Sequence, residues 1–568
     1  MKKLINHPAT VVREMLEGGV ALASGQRLLA EENVVVQADL PSANARGVAV
    51  LSGGGSGHEP AHAGYVGRGM LTAAIAGDVF TSPSTDAVLA GIKAAAGRAG
   101  AVLIVKNYTG DRLNFRLAAE MARAEGIPVE IIVVADDVSL RGMVDAERRR
   151  GIAGTVLVHK IAGAAAASGM PLAEVAHLAR EAAGELGSMG VALGACTLPA
   201  VGKPSFELGA SEIELGLGIH GEPGVQKVAL ERVEILVKRL LESITLDRGF
   251  APADRLVLLV NGLGATPPME LAIVARDALQ HLREGGFELQ RAWSGTLLSA
   301  LDMPGFSLSL LRVDDKRLAL LDAATDAPAW PGTGRLASEI TLQESNATSN
   351  TGSISSTFRS SRSTSPPLRR AALAAADALI AHEARLTALD AGAGDGDLGT
   401  SMVRGAAAIA ALPDKAWISP EVALSSIGHA LRRAIAGSSG PFYATAALRA
   451  ARALSGKAGP TPTDWALAFT SAVSAIRELG GAKVGDRTMV DALQPAADVF
   501  ASALEAGVPT GEAWAAATAA ARKGCDATAQ MSPRLGRASY LGNRALGIPD
   551  AGATAATCWL DALTPHIG

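Results

Sequence analysis

The sequence predicts a multidomain chain with an α/β first domain and an all-α second domain. In residues 1–344, short β-branched runs end in glycine or polar clusters and alternate with helical stretches, a pattern typical of α/β folds. From residue 368 to 568 the chain is rich in alanine at helical spacing and almost lacks β-branched runs. Between these parts, 345–367 is rich in Ser, Arg and Pro. It can bury little apolar surface, so it is predicted to be a linker.

Composition excludes several classes of protein. The 568 residues carry 52 basic and 56 acidic side chains, a net charge of −4, whereas nucleic-acid binders usually show a basic excess. Aromatic residues make up only 4%, too few for base-stacking platforms. Cys196, Cys525 and Cys558 form no C-x-x-C pair, so neither a disulfide framework nor a zinc site is expected. With no signal-like start and no long apolar run, we expect a cytoplasmic protein that does not bind membranes.

The strands of the first domain are predicted from five apolar runs. Its helices are predicted from the Ala-, Arg- and Glu-rich stretches between these runs, such as 112–126 and 171–187. Such continuous apolar runs favour a buried, largely parallel sheet. Ligands bind beyond the carboxyl ends of the strands in such folds, and polar clusters follow these runs. The runs are 48–51, 101–105, 129–134, 155–158 and 256–260.

The segment 53–62 is a strong candidate for a binding site. Three consecutive glycines follow a predicted strand, and bare backbone N–H groups can cradle an oxygen-rich ligand. His58, Glu59 and His62 add acid–base capacity. The alternative is a tight turn with incidental polar residues.

His220 is a second candidate, because glycines flank its loop and would let a ligand approach the imidazole. A neutral imidazole is a competent nucleophile or base near neutral pH; the alternative is a loop histidine with a structural hydrogen bond. The run 216–221 matches G-x-G-x-x-G, but no helix is predicted after it, so a dinucleotide fingerprint is not expected. Lys106 and Asp111 close the next strand end, either as an ion pair or as groups that orient a substrate.

In the second domain, Asp390, Asp395 and Asp397 lie within eight residues on a glycine-rich bend. Clustered carboxylates repel one another unless a cation neutralises them, and a few hard oxygen ligands suit Mg²⁺. The spacing does not fit a calcium EF-hand; a solvated acidic turn is the other alternative. The run 437–440 precedes a predicted helix, so its amides could face phosphate. Further donors come from 485–488, Arg534 and Arg537, and there is no Walker A motif.

These motifs together resemble the single-chain, ATP-dependent dihydroxyacetone kinases, in which a ketose-binding and an ATP-binding domain are fused. The likeness covers nearly the whole chain. Leu398 stands where relatives that take phosphate from a phosphoenolpyruvate-linked system have His, so ATP is favoured as the donor. The resemblance is carried by 51–62, 77–80, 106–111, 218–224, 394–397, 437–440, 485–489 and 536–542.

The resemblance implies roles for individual residues. His220 would hold the ketose as a covalent hemiaminal, with His58 and Asp111 as the acid–base pair. Lys106 and the backbone of Gly54, Gly55, Ser56 and Gly57 would contact the substrate. The second domain would be an eight-helix barrel that carries Mg²⁺ on Asp390, Asp395 and Asp397 and contacts ATP through Ser438, Ser439, Gly440 and Arg537.

The activity expected is phosphorylation of the terminal hydroxyl of dihydroxyacetone or a related short-chain ketose by a homodimer, as in glycerol metabolism. The linker would let one domain deliver ATP to the ketose held by another. Erythrulose, another four-carbon ketose or glyceraldehyde are alternative substrates. An FAD-cyclising lyase is a rival activity, and a carbonyl-sensing regulator is the non-enzyme alternative.

Overall fold

The computed structural model describes residues 3–337, 367–457 and 459–567, apart from the side chains of residues 537 and 540. The chain divides into two compact units, Met1–Gln343 and Glu344–Gly568. Most of the predicted linker, 345–366, lies outside the described residues. No helix among the described residues is long and apolar enough to cross a membrane.

The first unit contains two six-stranded sheets. In the first sheet the order is β1-β2-β4-β3-β5-β6. The four neighbouring strands β4, β3, β5 and β6 run parallel to one another. Apolar side chains cover both faces of the central strands, which explains the continuous apolar runs in the sequence. Its strands are β1 (Gln26–Leu28), β2 (Val34–Gln37), β3 (Ala49–Ser56), β4 (Ala73–Val79), β5 (Ala101–Lys106) and β6 (Val129–Val134).

The second sheet has the order β11-β10-β12-β7-β8-β9. Only its β10–β11 pair is parallel, and its other neighbours are antiparallel. The expectation of a largely parallel sheet therefore fits the first sheet and is wrong for the second. Its strands are β7 (Leu186–Ala192), β8 (Glu212–Leu215), β9 (Gln226–Ala229), β10 (Arg255–Gly262), β11 (Glu288–Gly295) and β12 (Gly305–Arg312).

Eight α-helices pack on these sheets within residues 3–337, and one of them corrects the sequence prediction. The run 155–158 is not a strand but the first turn of α4. Every residue of that helix from Thr155 to Ala165 is buried, and a helix that is buried all round has no amphipathic period to distinguish it from a buried strand. The helices are α1 (Val11–Ala21), α2 (Thr85–Ala95), α3 (Thr109–Ala124), α4 (Thr155–Ala167), α5 (Leu172–Gly184), α6 (Val233–Arg248), α7 (Pro268–Glu284) and α8 (Asp315–Asp322).

The second unit is all-helical in its described residues, as predicted. Helix α9 packs against both α11 and α17, and each helix from α11 to α17 packs against the next. Eight helices thus close a ring, and α10, which follows α9, carries Asp390 at its C-terminal end. The helices are α9 (Pro367–Ala381), α10 (Glu383–Ala393), α11 (Leu398–Ala410), α12 (Pro420–Ala434), α13 (Ser439–Ala453), α14 (Pro462–Gly480), α15 (Val490–Glu505), α16 (Thr510–Ala527) and α17 (Ala551–Leu563).

Candidate active site

The first unit gathers its predicted site residues at the carboxyl ends of β3 and β5. Lys106 is the last residue of β5, Asp111 lies in the first turn of α3, and both are buried. A Cβ on Gly54 would lie 3.2 Å from Lys106 Nζ and 3.5 Å from Asp111 Oδ2. The lysine and the aspartate therefore lie side by side against the bare backbone of β3. Neither Lys106 Nζ nor Asp111 Oδ1 has a hydrogen-bond partner among the described residues.

His58 and His220 come together although 162 positions of sequence numbering separate them. Their ring centroids are 4.9 Å apart and the rings meet edge to face at 77°. The Nδ1 atom of His58 lies 2.9 Å from the carbonyl oxygen of Ser299. Only a protonated nitrogen can donate to a carbonyl, which leaves Nε2 of His58 as the acceptor. That Nε2 is buried and unpartnered among the described residues, so it is available to accept a proton from a ligand.

Two aromatic side chains that the sequence analysis did not single out complete the surroundings of His220. Tyr108 meets its ring edge to face at 4.3 Å between centroids, and Phe80 does so at 5.4 Å. Phe80 also stacks on His58 at 5.2 Å. Both aromatics belong to the quoted runs 77–80 and 106–111, so a signal was present: they are aromatic residues at polar strand ends in a chain poor in aromatics.

Burial sets the electrostatics of this site. It lowers the pKa of His220 to about 3, with further lowering by the charges of Lys106 and Arg150. Burial likewise lowers the pKa of His58, with Lys106 as the second cause. The pKa of Lys106 falls to about 8, again through burial, which the attraction of Asp111 opposes. Burial raises the pKa of Asp111, while Lys106 acts in the opposite direction. Both imidazoles are therefore neutral at physiological pH.

The glycines of 53–57 occupy a different place from the one expected. Gly53, Gly54 and Gly55 lie within β3 rather than in a turn after it. A Cβ on Gly53 would come within 2.3 Å of a backbone oxygen of β4, and one on Gly55 within 2.5 Å of the amide nitrogen of residue 81. Bare glycines are thus required for close packing of the following segment. Ser56 Oγ donates to the Gly77 carbonyl at 2.7 Å, and the Gly57 amide donates to the Glu59 carboxylate at 3.1 Å.

In the second unit the three predicted aspartates converge. Asp390 lies near the end of α10, Asp395 in the following turn, and Asp397 immediately before α11. One oxygen from each carboxylate lies within 4.8 Å of the others. Asp390 Oδ2 accepts the amides of Asp397 and Leu398 at 2.9 and 3.1 Å, which orders the turn. Three mostly exposed carboxylates at this spacing fit a hard divalent cation such as Mg²⁺.

The predicted phosphate-binding residues precede and begin α13. Ser438 is exposed, Ser439 is half-buried, and Gly440 is buried so tightly that a Cβ would come within 2.0 Å of the Ile435 carbonyl oxygen. Ile435 in turn packs on Gly405 of α11, the helix that begins after the aspartates.

Two arginines of the second unit are predicted to supply hydrogen-bond donors to phosphate, and the structure places them differently. Arg537 begins a short 3-10 turn, but its side chain lies outside the described residues. Arg487, expected to supply a donor, is buried and donates to the carbonyls of Ala545 and Ile548 at 3.1 and 2.8 Å. It therefore orders the segment that leads to α17.

Comparisons with known proteins agree with this architecture. The Dak1 domain model matches residues 17–329 and the DAK2 domain model matches 392–565. A putative 3,4-dihydroxy-2-butanone kinase of Solanum lycopersicum is 43% identical over 98% of this chain and 97% of its own. The triokinase/FMN cyclase of Homo sapiens is 41% identical over 99% and 98%. The dihydroxyacetone kinase of C. freundii, solved with AMP-PNP and Mg²⁺, is 35% identical, covers 99% of both chains and superposes with a TM-score of 0.63. The chain belongs to the dihydroxyacetone kinase family, with its Dak1 and DAK2 domains in one polypeptide.

Proposed function

We propose that this chain is an ATP- and Mg²⁺-dependent kinase that phosphorylates the terminal hydroxyl of dihydroxyacetone or a closely related short-chain ketose. The observation that carries the proposal is the position of His220, a half-buried imidazole whose ring centroid lies 4.9 Å from that of His58. A neutral imidazole in a dry site can attack a carbonyl, whereas a protonated one cannot. The full-length kinase relatives support the phosphotransfer.

Capture of the ketose is proposed to occur on His220. The lone pair of a ring nitrogen adds to the carbonyl carbon, the C=O π bond opens, and the oxygen gains a proton as the imidazole loses its own N–H proton. The product is a neutral hemiaminal, and no atom leaves. Glycerol has no carbonyl, so this step selects against it, and the adduct fixes the terminal hydroxyl for transfer.

Transfer of the phosphoryl group is proposed to use His58 and Asp111. As the hydroxyl oxygen bonds to the γ-phosphorus of ATP, the bond from that phosphorus to the bridging oxygen breaks and ADP departs. The hydroxyl proton would pass to His58 Nε2 or to Asp111. Lys106 would bind a substrate oxygen beside them, and the backbone of 54–57 would line the pocket.

The second unit is proposed to bind the nucleotide. Asp390, Asp395 and Asp397 would hold Mg²⁺, which neutralises phosphate charge when bound. The residues 438–440 and Arg537 would contact the phosphates. Assembly as a homodimer is a further expectation, which sedimentation of the full chain would check.

The test separates capture from transfer. Wild-type protein incubated with dihydroxyacetone should show the mass of a covalent adduct, His220→Ala should show none, and the exposed α5 control His177→Ala should match wild type. Asp395→Asn should keep the adduct and lose most of its turnover, whereas Asp414→Asn, an exposed partner of Arg369, should keep both. An adduct that survives in His220→Ala would overturn the proposal.

The choice of substrate is tested with a panel. With ATP and Mg²⁺, the protein would be offered dihydroxyacetone, glyceraldehyde, both erythruloses and glycerol. The name of the Solanum relative favours including a four-carbon ketone, and the name of the human relative favours a separate assay with FAD and Mn²⁺ for release of cyclic FMN. A carbonyl-sensing regulator would form the adduct without turnover. The three converging aspartates argue against that alternative, because a sensor has no need of a metal–nucleotide site.

A further inference from the structure

The loop that carries His220, residues 216–222, contains glycines at 216, 218 and 221. Gly216 and Gly221 have φ angles of +65° and +76°, a region that glycine enters freely. A loop with this backbone freedom does not fix the direction of an imidazole by itself. Its conformation depends on the groups that contact it from outside.

Arg150 contacts this loop at both ends. Its Nη2 donates to the Gly216 carbonyl at 2.8 Å. Its Nη1 lies 3.4 Å from Glu222 Oε1, and the other oxygen of Glu222 accepts the backbone amide of His220 at 2.9 Å. The guanidinium therefore connects the first residue of the loop to the amide of the predicted nucleophile through one carboxylate.

The arginine is itself anchored on the first sheet. Its Nε donates at 2.7 Å to Asp137, which is buried just beyond the end of β6. The other oxygen of Asp137 accepts the amide and hydroxyl of Ser139 at 3.0 and 2.6 Å. A planar guanidinium can donate hydrogen bonds to three partners in fixed directions at once. A lysine ammonium on a flexible stem fixes such directions poorly.

Gly218 shows how closely the carboxylate covers the loop. A Cβ at this position would fall 1.6 Å from Glu222 Oε1 and 3.0 Å from Arg150 Nη1. A side chain at 218 would therefore displace the Glu222 carboxylate from its position beside Arg150. This chain of contacts links the His220 amide to Asp137, just beyond the end of a strand in the first sheet.

We propose that Arg150 is a positioning residue that, acting through Glu222, sets the direction in which the imidazole of His220 meets the substrate carbonyl. The inference rests on the proposed role of His220 as the nucleophile. Displacement of a reacting group by about 1 Å can cost about 100-fold in rate. Loss of Arg150 should therefore slow capture of the ketose and leave nucleotide binding unchanged.

The experiment compares two adjacent arginines in the full chain. Arg149 is buried and Arg150 is half-buried. Arg149 pairs with Asp247 at 2.8 Å, and among the described residues its side chain has no hydrogen bond or ion pair with the loop. We expect Arg150→Met to lower the rate of adduct formation and kcat/KM for the ketose by about 10- to 100-fold, with the KM for ATP unchanged. Arg150→Lys should recover part of the loss, and Arg149→Met should stay within about twofold of wild type.

Glu222→Gln provides a second variant if loss of Arg150 impairs folding. It keeps an acceptor for the His220 amide but removes the charge that Arg150 binds, so we expect a smaller fall in the adduct rate. Because both residues belong to one network, the effects of Arg150→Met and Glu222→Gln should not add, while those of Arg149→Met and Glu222→Gln should.

The outcomes separate this inference from the proposed function. If the wild-type protein forms no adduct, the proposed function fails and the role of Arg150 falls with it. If the wild type forms the adduct and both Arg150→Met and Glu222→Gln form it equally fast, only the role of Arg150 is overturned. An equal loss in Arg149→Met would also overturn it, since the effect would then be general to this segment.

Discussion

Replacing Lys106 by methionine should make the free energy of unfolding of the first unit less dependent on pH. The same replacement should abolish ketose turnover. Lys106 is buried, and Nζ has no hydrogen-bond partner among the described residues. A buried ammonium without hydrogen bonds destabilises the folded state. A lysine that is kept in such a position is therefore expected to serve the function of the site.

The magnitude follows from the pKa of this lysine. Burial lowers it from 10.5 to about 8, against the attraction of Asp111. Because the folded pKa lies below the unfolded one, this group opposes folding at neutral pH, and the opposition disappears as the pH rises from about 8 to about 10.5. At about 1.4 kcal/mol per factor of ten, the cost is about 3 kcal/mol at pH 7, of which about 2.5 kcal/mol is removed by pH 10.

Wild-type protein should therefore gain about 2.5 kcal/mol relative to Lys106→Met between pH 7 and pH 10. Loss of the cation also removes a charge that lowers the pKa values of Asp111 and Glu59. Carboxyl groups with raised pKa values would destabilise the variant further as the pH rises, which changes the stability difference in the same direction. Urea unfolding of the full chain, read by pulse proteolysis, measures the difference.

Lys160→Met is the matched control. Lys160 is buried in α4, its pKa also falls to about 8 through burial, and its Nζ donates to the Leu320 carbonyl at 2.8 Å rather than facing the site. The stability difference between wild type and Lys160→Met should change with pH in a similar way, while ketose turnover stays intact. A stability difference between wild type and Lys106→Met that does not change from pH 7 to pH 10 would refute the reasoning, as would full activity of Lys106→Met.

Three further predictions address the two sites and the scaffold. Burial lowers the pKa of His220 to about 3, so adduct formation measured by intact mass should be constant from pH 5 to pH 8; a histidine with an ordinary pKa would lose about 30-fold at pH 5. A Cβ on Gly399 would lie 2.1 Å from Thr387 Oγ1 and 2.4 Å from the Glu383 carbonyl oxygen, so Gly399→Ala should separate α11 from α10 and weaken Mg–nucleotide binding in calorimetry. Gly511→Ala should not, because a Cβ there would make only an ordinary contact of 3.6 Å with the Ile567 carbonyl oxygen. Ser84 caps α2, so Ser84→Ala should lower the free energy of unfolding by about 1 kcal/mol without changing the adduct yield.

The strands that the sequence predicted correctly are short apolar runs, although such runs have no period of their own. The runs at 101–105, 129–134 and 256–260 became strands because they are short, apolar and followed by polar residues. The run at 155–158 failed because α4 is buried all round, and burial removes the amphipathic period on which a helix assignment depends. The antiparallel second sheet could not be predicted, since strand direction depends on connections whose path is not encoded in local composition.

The candidate site was predictable where chemistry-bearing residues follow strands or cluster in the chain. Lys106 and Asp111 lie close together because the strand end and the helix start adjoin, and the aspartates converge because one turn joins α10 to α11. Arg150 gave no such signal. Its contacts include Gly216 and Glu222, which are distant in sequence. The sequence around one arginine among many does not indicate which residues it will contact.

The two sites differ in burial, and the difference follows from their proposed chemistry. Attack on a neutral carbonyl needs an uncharged nucleophile, and desolvation keeps His220 uncharged. Holding a metal and phosphates needs carboxylates that stay ionised, and desolvation opposes that: in the second unit, burial raises the pKa of Asp550 to about 6. Asp395 and Asp397 are instead exposed to solvent. A single pocket could not satisfy both demands at one pH, which gives a physical reason for placing capture and donation in separate folded units.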